Sequence, residues 1–203
     1  LANTEIINFL VTNLANPDHY FLRRPVLSPA TYERQWHVDP APVHTLLESV
    51  CDPPVHAAAV NDGTPTPPPC PYEAWAVLDL DEPAWSSYAK FTLRVSWPAS
   101  SPADFSIQVY TPTELASHLG LPASPPSPLA PVSPPPTTRL RFARIRLVST
   151  GVRARTHAPL MPPPPPPAVA FITILEPLYF TVLPASVAPT VAFLVLVGAA
   201  AAA

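Results

Sequence analysis

Few side chains in this sequence have the types and spacing that chemistry requires. His37, Asp39 and His44 put two imidazoles and a carboxylate in one short stretch, the donor set of a divalent transition-metal site. The spacing is not His-Glu-x-x-His, and Asp39 stands before Pro40, where its carboxylate is expected to cap a helix instead. Asp79, Asp81 and Glu82 could act in acid/base work or hold a hard cation. They also sit where a strand runs into the Pro83 turn, a place where acidic residues are simply solvated. Ser86 and Ser87 have no His beside them and no Gly-x-Ser-x-Gly elbow. With 4 glycines in the chain, a glycine-rich phosphate cradle has little to be built from. The expectation is therefore a chain that is not an enzyme, with no catalytic residue, no metal site and no cofactor.

Two further groups bear on structure and partners. Arg139, Arg141, Arg144 and Arg146, followed by Arg153 and Arg155, gather positive charge in one segment. Alternating with apolar residues, the first four are expected on the solvent face of a strand, available to anionic lipid or an acidic surface. Cys51 and Cys70 are the only cysteines and match no metal pattern. In an oxidising lumen they would close a loop of roughly 20 residues and stabilise the fold by about 3 kcal/mol; in a reducing compartment they would remain buried thiols.

The elements that position these groups are mostly strands. Ala89–Trp97 is the clearest, with Phe91, Leu93, Val95 and Trp97 alternating with Lys90, Thr92, Arg94 and Ser96. Trp75–Leu80 precedes it and Phe105–Tyr110 follows, which predicts a three-stranded antiparallel meander. Further strands are expected at Glu5–Val11, Tyr32–Val38, Arg139–Val148 and Ala168–Leu175. The apolar parity changes inside Arg139–Val148, which a bulge near Ala143 would explain. Seven short strands with polar punctuation predict an all-β chain, an antiparallel β-sandwich with one or two short crossover helices. One helix would open at Asp39-Pro40 with Val43, Leu46, Leu47 and Val50 on one face. The other has capping-box spacing in Thr111-Pro112-Thr113-Glu114 and could stop at Gly120. Prolines concentrate in 64–71, 122–136 and 162–167, read as loops between strands.

The net charge of -3 and the low share of charged residues, 12%, supply no basic field, so nucleic acid is not an expected partner. The chain starts at Leu1-Ala2, which looks like the small-residue end of a cleaved signal peptide. No charged residue occurs from Pro177 to Ala203, and 187–203 is almost wholly apolar. Crossing a bilayer as a helix takes about 20 such residues. The expected organisation is a lumenal domain over 1–176 and a membrane-proximal segment with a transmembrane helix over 177–203, with the natural C-terminus lying beyond Ala203. Glu176, Pro177, Tyr179 and Phe180, aromatic-rich and at the bilayer surface, form the expected contact zone for a partner.

Three stretches carry a resemblance. They are Asn3-Thr4-Glu5-Ile6, Tyr88–Phe105 (YAKFTLRVSWPASSPADF) and Leu175–Pro189 (LEPLYFTVLPASVAP). Together they resemble the fungal endoplasmic-reticulum proteins that serve as accessory subunit of GPI mannosyltransferase II, the enzyme that adds the second mannose to the glycosylphosphatidylinositol precursor. The resemblance implies a lumenal domain with one C-terminal span in the endoplasmic-reticulum membrane. It also implies a multi-spanning catalytic mannosyltransferase partner, and no catalytic residue in this chain. Two other readings stay open: the accessory subunit of the first GPI mannosyltransferase, and a membrane-anchored recognition domain at the cell surface.

Overall fold

The computed structural model describes residues 2–15, 24–52, 70–119, 137–151 and 166–202. Arg153, Arg155, Gly120 and most of the three proline-rich stretches lie outside the described residues.

In chain order the elements are β1 (Ala2–Leu10), β2 (Leu14–Ala15), β3 (Val26–Leu27), β4 (Glu33–Val38), β5 (Glu73–Leu78), β6 (Lys90–Pro98) and β7 (Ala103–Tyr110). They continue with α1 (Pro112–His118), β8 (Thr137–Thr138), β9 (Arg141–Ser149), β10 (Val169–Tyr179), β11 (Leu183–Pro184) and α2 (Ala188–Ala202). Sheet one runs β1-β6-β10, with β4 and β11 also paired to β10. Sheet two runs β3-β5-β9-β7, and β2 pairs with β8 separately. Every ladder is antiparallel except the short parallel contact of β3 with β5. The all-β, mainly antiparallel character expected from the alternation is what the chain adopts.

The core lies between the two sheets. The apolar face of β6 enters it whole, with Phe91, Leu93, Val95 and Trp97 all buried. Phe171 and Leu175 of β10 stand beside them, and Ile145 and Leu147 of β9 face them from sheet two. Small residues opposite large ones let the layers interlock: Ala76 and Ala143 share a cluster with Trp85 and Phe91. Each large side chain moved out of water contributes about 1.5–3 kcal/mol, so β6 and β10 form the energetic centre.

Three expectations are corrected here. β5, β6 and β7 do not form a meander, because β6 lies in sheet one while β5 and β7 flank β9 in sheet two. The connection from β5 to β6 and the turn from β6 to β7 each cross between sheets, and Trp97 and Phe105 meet at 4.3 Å across the second crossing. Alternation names the buried face of a strand, not its neighbour. No bulge occurs near Ala143, since β9 runs in continuous register against both β5 and β7. Its parity change reflects burial on both faces: Ile145 and Leu147 point into the sandwich, and Phe142 packs outward with Trp75 and Leu115.

The helix expected after Asp39 does not form. Ala41 is spent on β9 instead, its N–H donating to Leu147 O at 2.9 Å and its O accepting from Ser149 N–H at 2.9 Å. A left-handed His44 follows at φ 71°, and only a single 3-10 turn, Leu47–Ser49, remains, with no side-chain cap. By contrast α1 starts as expected. Thr111 Oγ1 accepts from Glu114 N–H at 3.2 Å and Glu114 Oε2 accepts from Thr111 N–H at 2.7 Å, a complete capping box. Finally, no helix among the described residues is long and apolar enough to cross a membrane. α2 has 15 residues, so it rises about 22 Å against a hydrocarbon core of about 30 Å.

Candidate functional site

The site is the end of sheet one where β10 passes through a hairpin into α2. Of the four residues expected to meet a partner, Tyr179 and Phe180 are exposed, whereas Glu176 and Pro177 are buried. Glu176 is occupied within the fold. Its Oε2 accepts from Ser186 N–H at 2.9 Å, and its Oε1 lies 3.5 Å from the Arg94 guanidinium on the neighbouring strand. A carboxylate accepting a backbone N–H beside a guanidinium is a charge-assisted clamp. Ala185 N–H donates to Pro177 O at 3.1 Å, and Val187 N–H to Pro184 O at 3.0 Å. The start of α2 is therefore bound to β10 and not hung on a free tether. Tyr179 rests edge-on against Tyr88 at 5.5 Å, and its hydrogen bond with the Tyr88 hydroxyl, helped by desolvation, pushes the Tyr88 phenol upward.

α2 itself carries no polar stripe. Phe193, Leu194, Val195 and Leu196 are each more than 60% exposed, and the helix has no buried residue. A methyl placed on Gly198 would meet nothing within 4 Å. A helix apolar all round normally lies in a protein core or in lipid, and α2 lies against neither within this chain.

The arginines occupy different ground from the one expected. Arg139, Arg141, Arg144 and Arg146 are buried, not on a solvent face. Arg144 is completely covered. Its Nε donates to Glu73 at 2.7 Å, one terminal nitrogen to Asp52 at 3.2 Å, and the other to Cys51 O at 2.8 Å. His118 Nε2 lies 3.0 Å away, and the guanidinium stacks over Trp75 at 5.5 Å. Burial works against the Arg144 charge, but the Glu73 hydrogen bond and charge outweigh it and hold the guanidinium above its ordinary value. Arg141 and Arg146, with weaker partners, are pulled downward by burial. Arg139 donates to Leu80 O at 3.1 Å, to Trp85 O at 3.0 Å and to Tyr88 O, stapling the crossing between β5 and β6. Four planar forks thus satisfy loop carbonyls that have no ladder partner.

The cysteines are joined: Cys51 and Cys70 form a disulfide with Cα atoms 5.9 Å apart. It stands at the edge of the Arg144 cluster, since Arg144 binds the Cys51 carbonyl.

The other sequence candidates do not converge. His37, Asp39 and His44 are exposed and sit on a strand end and the turn after it. No group of three His, Cys, Asp or Glu that could hold a metal occurs among the described residues. Asp81 is not merely solvated: it accepts from Thr138 Oγ1 at 2.6 Å and from Arg139 N–H at 2.9 Å, tying β8 to the β5–β6 crossing. Asp79 accepts from Asp81 N–H at 3.2 Å; Glu82, Ser86 and Ser87 are exposed, with Ser86 Oγ donating to Pro83 O.

An open groove of about 710 Å³ lies between β1, β7 and α1. Its polar lining is already engaged: Gln108 accepts from the Tyr110 hydroxyl at 2.6 Å, Glu114 closes the α1 cap, and His118 meets Arg144. That leaves Ile7, Ile107 and Val109 as its apolar floor. Sequence reasoning did not find this groove, since β1 and β7 are far apart in the chain and meet only as edges of different sheets. Compared with known proteins, the chain matches no family model, no curated protein and no solved structure.

Proposed function

We propose that this chain is a non-catalytic accessory subunit of GPI mannosyltransferase II. It would act from the lumenal side of the endoplasmic-reticulum membrane, stabilising a multi-spanning catalytic chain that adds the second mannose. The observation that carries the reading is α2, an uncharged helix apolar on every side, bound at its start to the central strands of a β-sandwich. Such a helix needs lipid or a membrane partner around it. Here it supplies the anchor, and its flank meets the catalytic chain.

Two points support the finer assignment. The stretches that carry the resemblance, Tyr88–Phe105 and Leu175–Pro189, contain β6 and the C-terminal part of β10, Leu175–Tyr179, which pair with each other from Leu175↔Leu93 to Pro177↔Phe91. The resemblance therefore falls on one continuous spine leading into α2. The Cys51–Cys70 disulfide fits an oxidising lumen.

Purification of the full chain in mild detergent, followed by mass spectrometry of what accompanies it, tests the reading. A polytopic mannosyltransferase is expected. Depleting the chain should make a lipid precursor bearing one mannose accumulate. Recovery of the chain alone, with normal addition of the second mannose after depletion, sinks the assignment.

A further inference from the structure

The turn between β10 and β11 has a shape its residues do not favour. Val182 N–H donates to Tyr179 O at 3.1 Å, closing a tight turn around Phe180 and Thr181. Both central residues are left-handed, at φ 50° and 66°. A hairpin turn with two positive φ values is ordinarily given to Asn-Gly or Gly-Gly. A bulky aromatic followed by a β-branched residue there is strained, at a cost on the order of 1–3 kcal/mol each. The strain yields no packing: Phe180 is 91% exposed and Val182 74%.

We propose that this turn is a second membrane contact, in which Phe180 and Val182 enter the headgroup–acyl boundary of the bilayer that receives α2. The inference rests on the membrane reading above and adds a site distinct from the helix. Three observations favour lipid as the occupant. No charged side chain occurs from Pro177 to Ala203, and Glu176 itself is turned inward to Ser186 N–H and Arg94. Hydrogen bonds from Ala185, Ser186 and Val187 bind the start of α2 to the same hairpin, so turn and helix approach a surface as one unit. Tyr179, half-exposed with its ring against Tyr88, is the amphipathic aromatic that headgroup regions accept.

The strained geometry also provides a clean variant. Phe180→Asn with Thr181→Gly installs the residues the turn prefers while removing the apolar tip, so loss of contact cannot come from loss of the hairpin. The full chain is reconstituted in phosphatidylcholine/phosphatidylethanolamine liposomes containing acyl chains with a shallow nitroxide quencher. An environment-sensitive dye is placed, in separate samples, on Val182→Cys, on Leu196→Cys in α2, and on Ser100→Cys, exposed at the far end of sheet one. Residues inserted about 5–10 Å deep lie within reach of the quencher and should lose emission. The expected result is quenching at 182 and 196 and none at 100, with most of the quenching at 182 abolished by the Asn-Gly variant. Quenching at 196 without quenching at 182 overturns the second contact and leaves the membrane reading standing. Absence at both positions sinks both ideas. A dye at 182 that is blue-shifted yet unquenched in the co-purified complex marks a protein pocket and overturns the lipid assignment, as does equal quenching at 100.

Discussion

Replacing Glu73 by glutamine removes one negative charge from the most deeply buried polar cluster and leaves the volume almost unchanged. Glu73 receives Arg144 Nε–H on one oxygen at 2.7 Å and Trp75 Nε1–H on the other at 2.9 Å. An amide in its place must turn an N–H toward one of these two donors. The Arg144 side chain is 0% exposed and that of Glu73 1%. Asp52 remains 3.2 Å from Arg144, but it is 41% exposed and screened by water. Removing one partner of a buried pair costs about 3–5 kcal/mol, and the residual Asp52 contact places this case near about 3. In a chain of this size that lowers the thermal midpoint by about 6–12 °C. The assay is thermal unfolding of the detergent-solubilised full chain, followed by tryptophan fluorescence. A companion variant, Glu73→Leu with Arg144→Met, removes both charges but leaves the Trp75 N–H and the Cys51 carbonyl without these partners, so it should recover part of the loss and not all of it. A shift below about 2 °C for Glu73→Gln, or a double variant no better than the single, would show that unpaired charge is not what the cluster guards against.

Cys51→Ser with Cys70→Ser should lower stability by about 3 kcal/mol, and a reductant should lower the wild-type unfolding midpoint while leaving the variant unmoved. Asp81→Ala removes the acceptor for Thr138 and Arg139 and should cost about 1.5–3 kcal/mol in denaturant unfolding, more than Asp79→Ala at the neighbouring position. The Glu114 carboxylate is held below its usual range by the Thr111 backbone N–H first and the Thr111 side chain second. A depressed folded-state value means that the capping box stabilises fully at neutral pH, and that this part is lost as acid titrates the group below the ordinary carboxylate range. Glu114→Gln should therefore flatten that part of the acid limb in a plot of thermal midpoint against pH.

Much of the strand content was legible because alternation reports burial directly. Phe91, Leu93, Val95 and Trp97 were assigned inward from period alone, and all four are buried. The start of α1 was legible for a similar reason, since the Thr111–Glu114 box is a contact between residues three apart. Arg144 could not be placed in the same way. In sequence it alternates like a solvent-facing residue, yet the segment around Asp52 and the end of α1 cover it from outside. The helix expected after Asp39 failed because a cap signal is weak against a strand edge offering two backbone bonds to Ala41.

By itself the sequence determined which face of β6 avoids water, where α1 begins, and that the tail from Pro177 is uncharged and mostly apolar. These properties depend on residue order over a few positions, where side-chain direction follows from backbone period. Tertiary structure decided which strands are neighbours, that four arginines serve the interior, that Glu176 clamps the helix start, and that Phe180 stands out on a strained turn. Those outcomes depend on which distant segments arrive to supply carbonyls, carboxylates and cover, and no local pattern encodes the arrival.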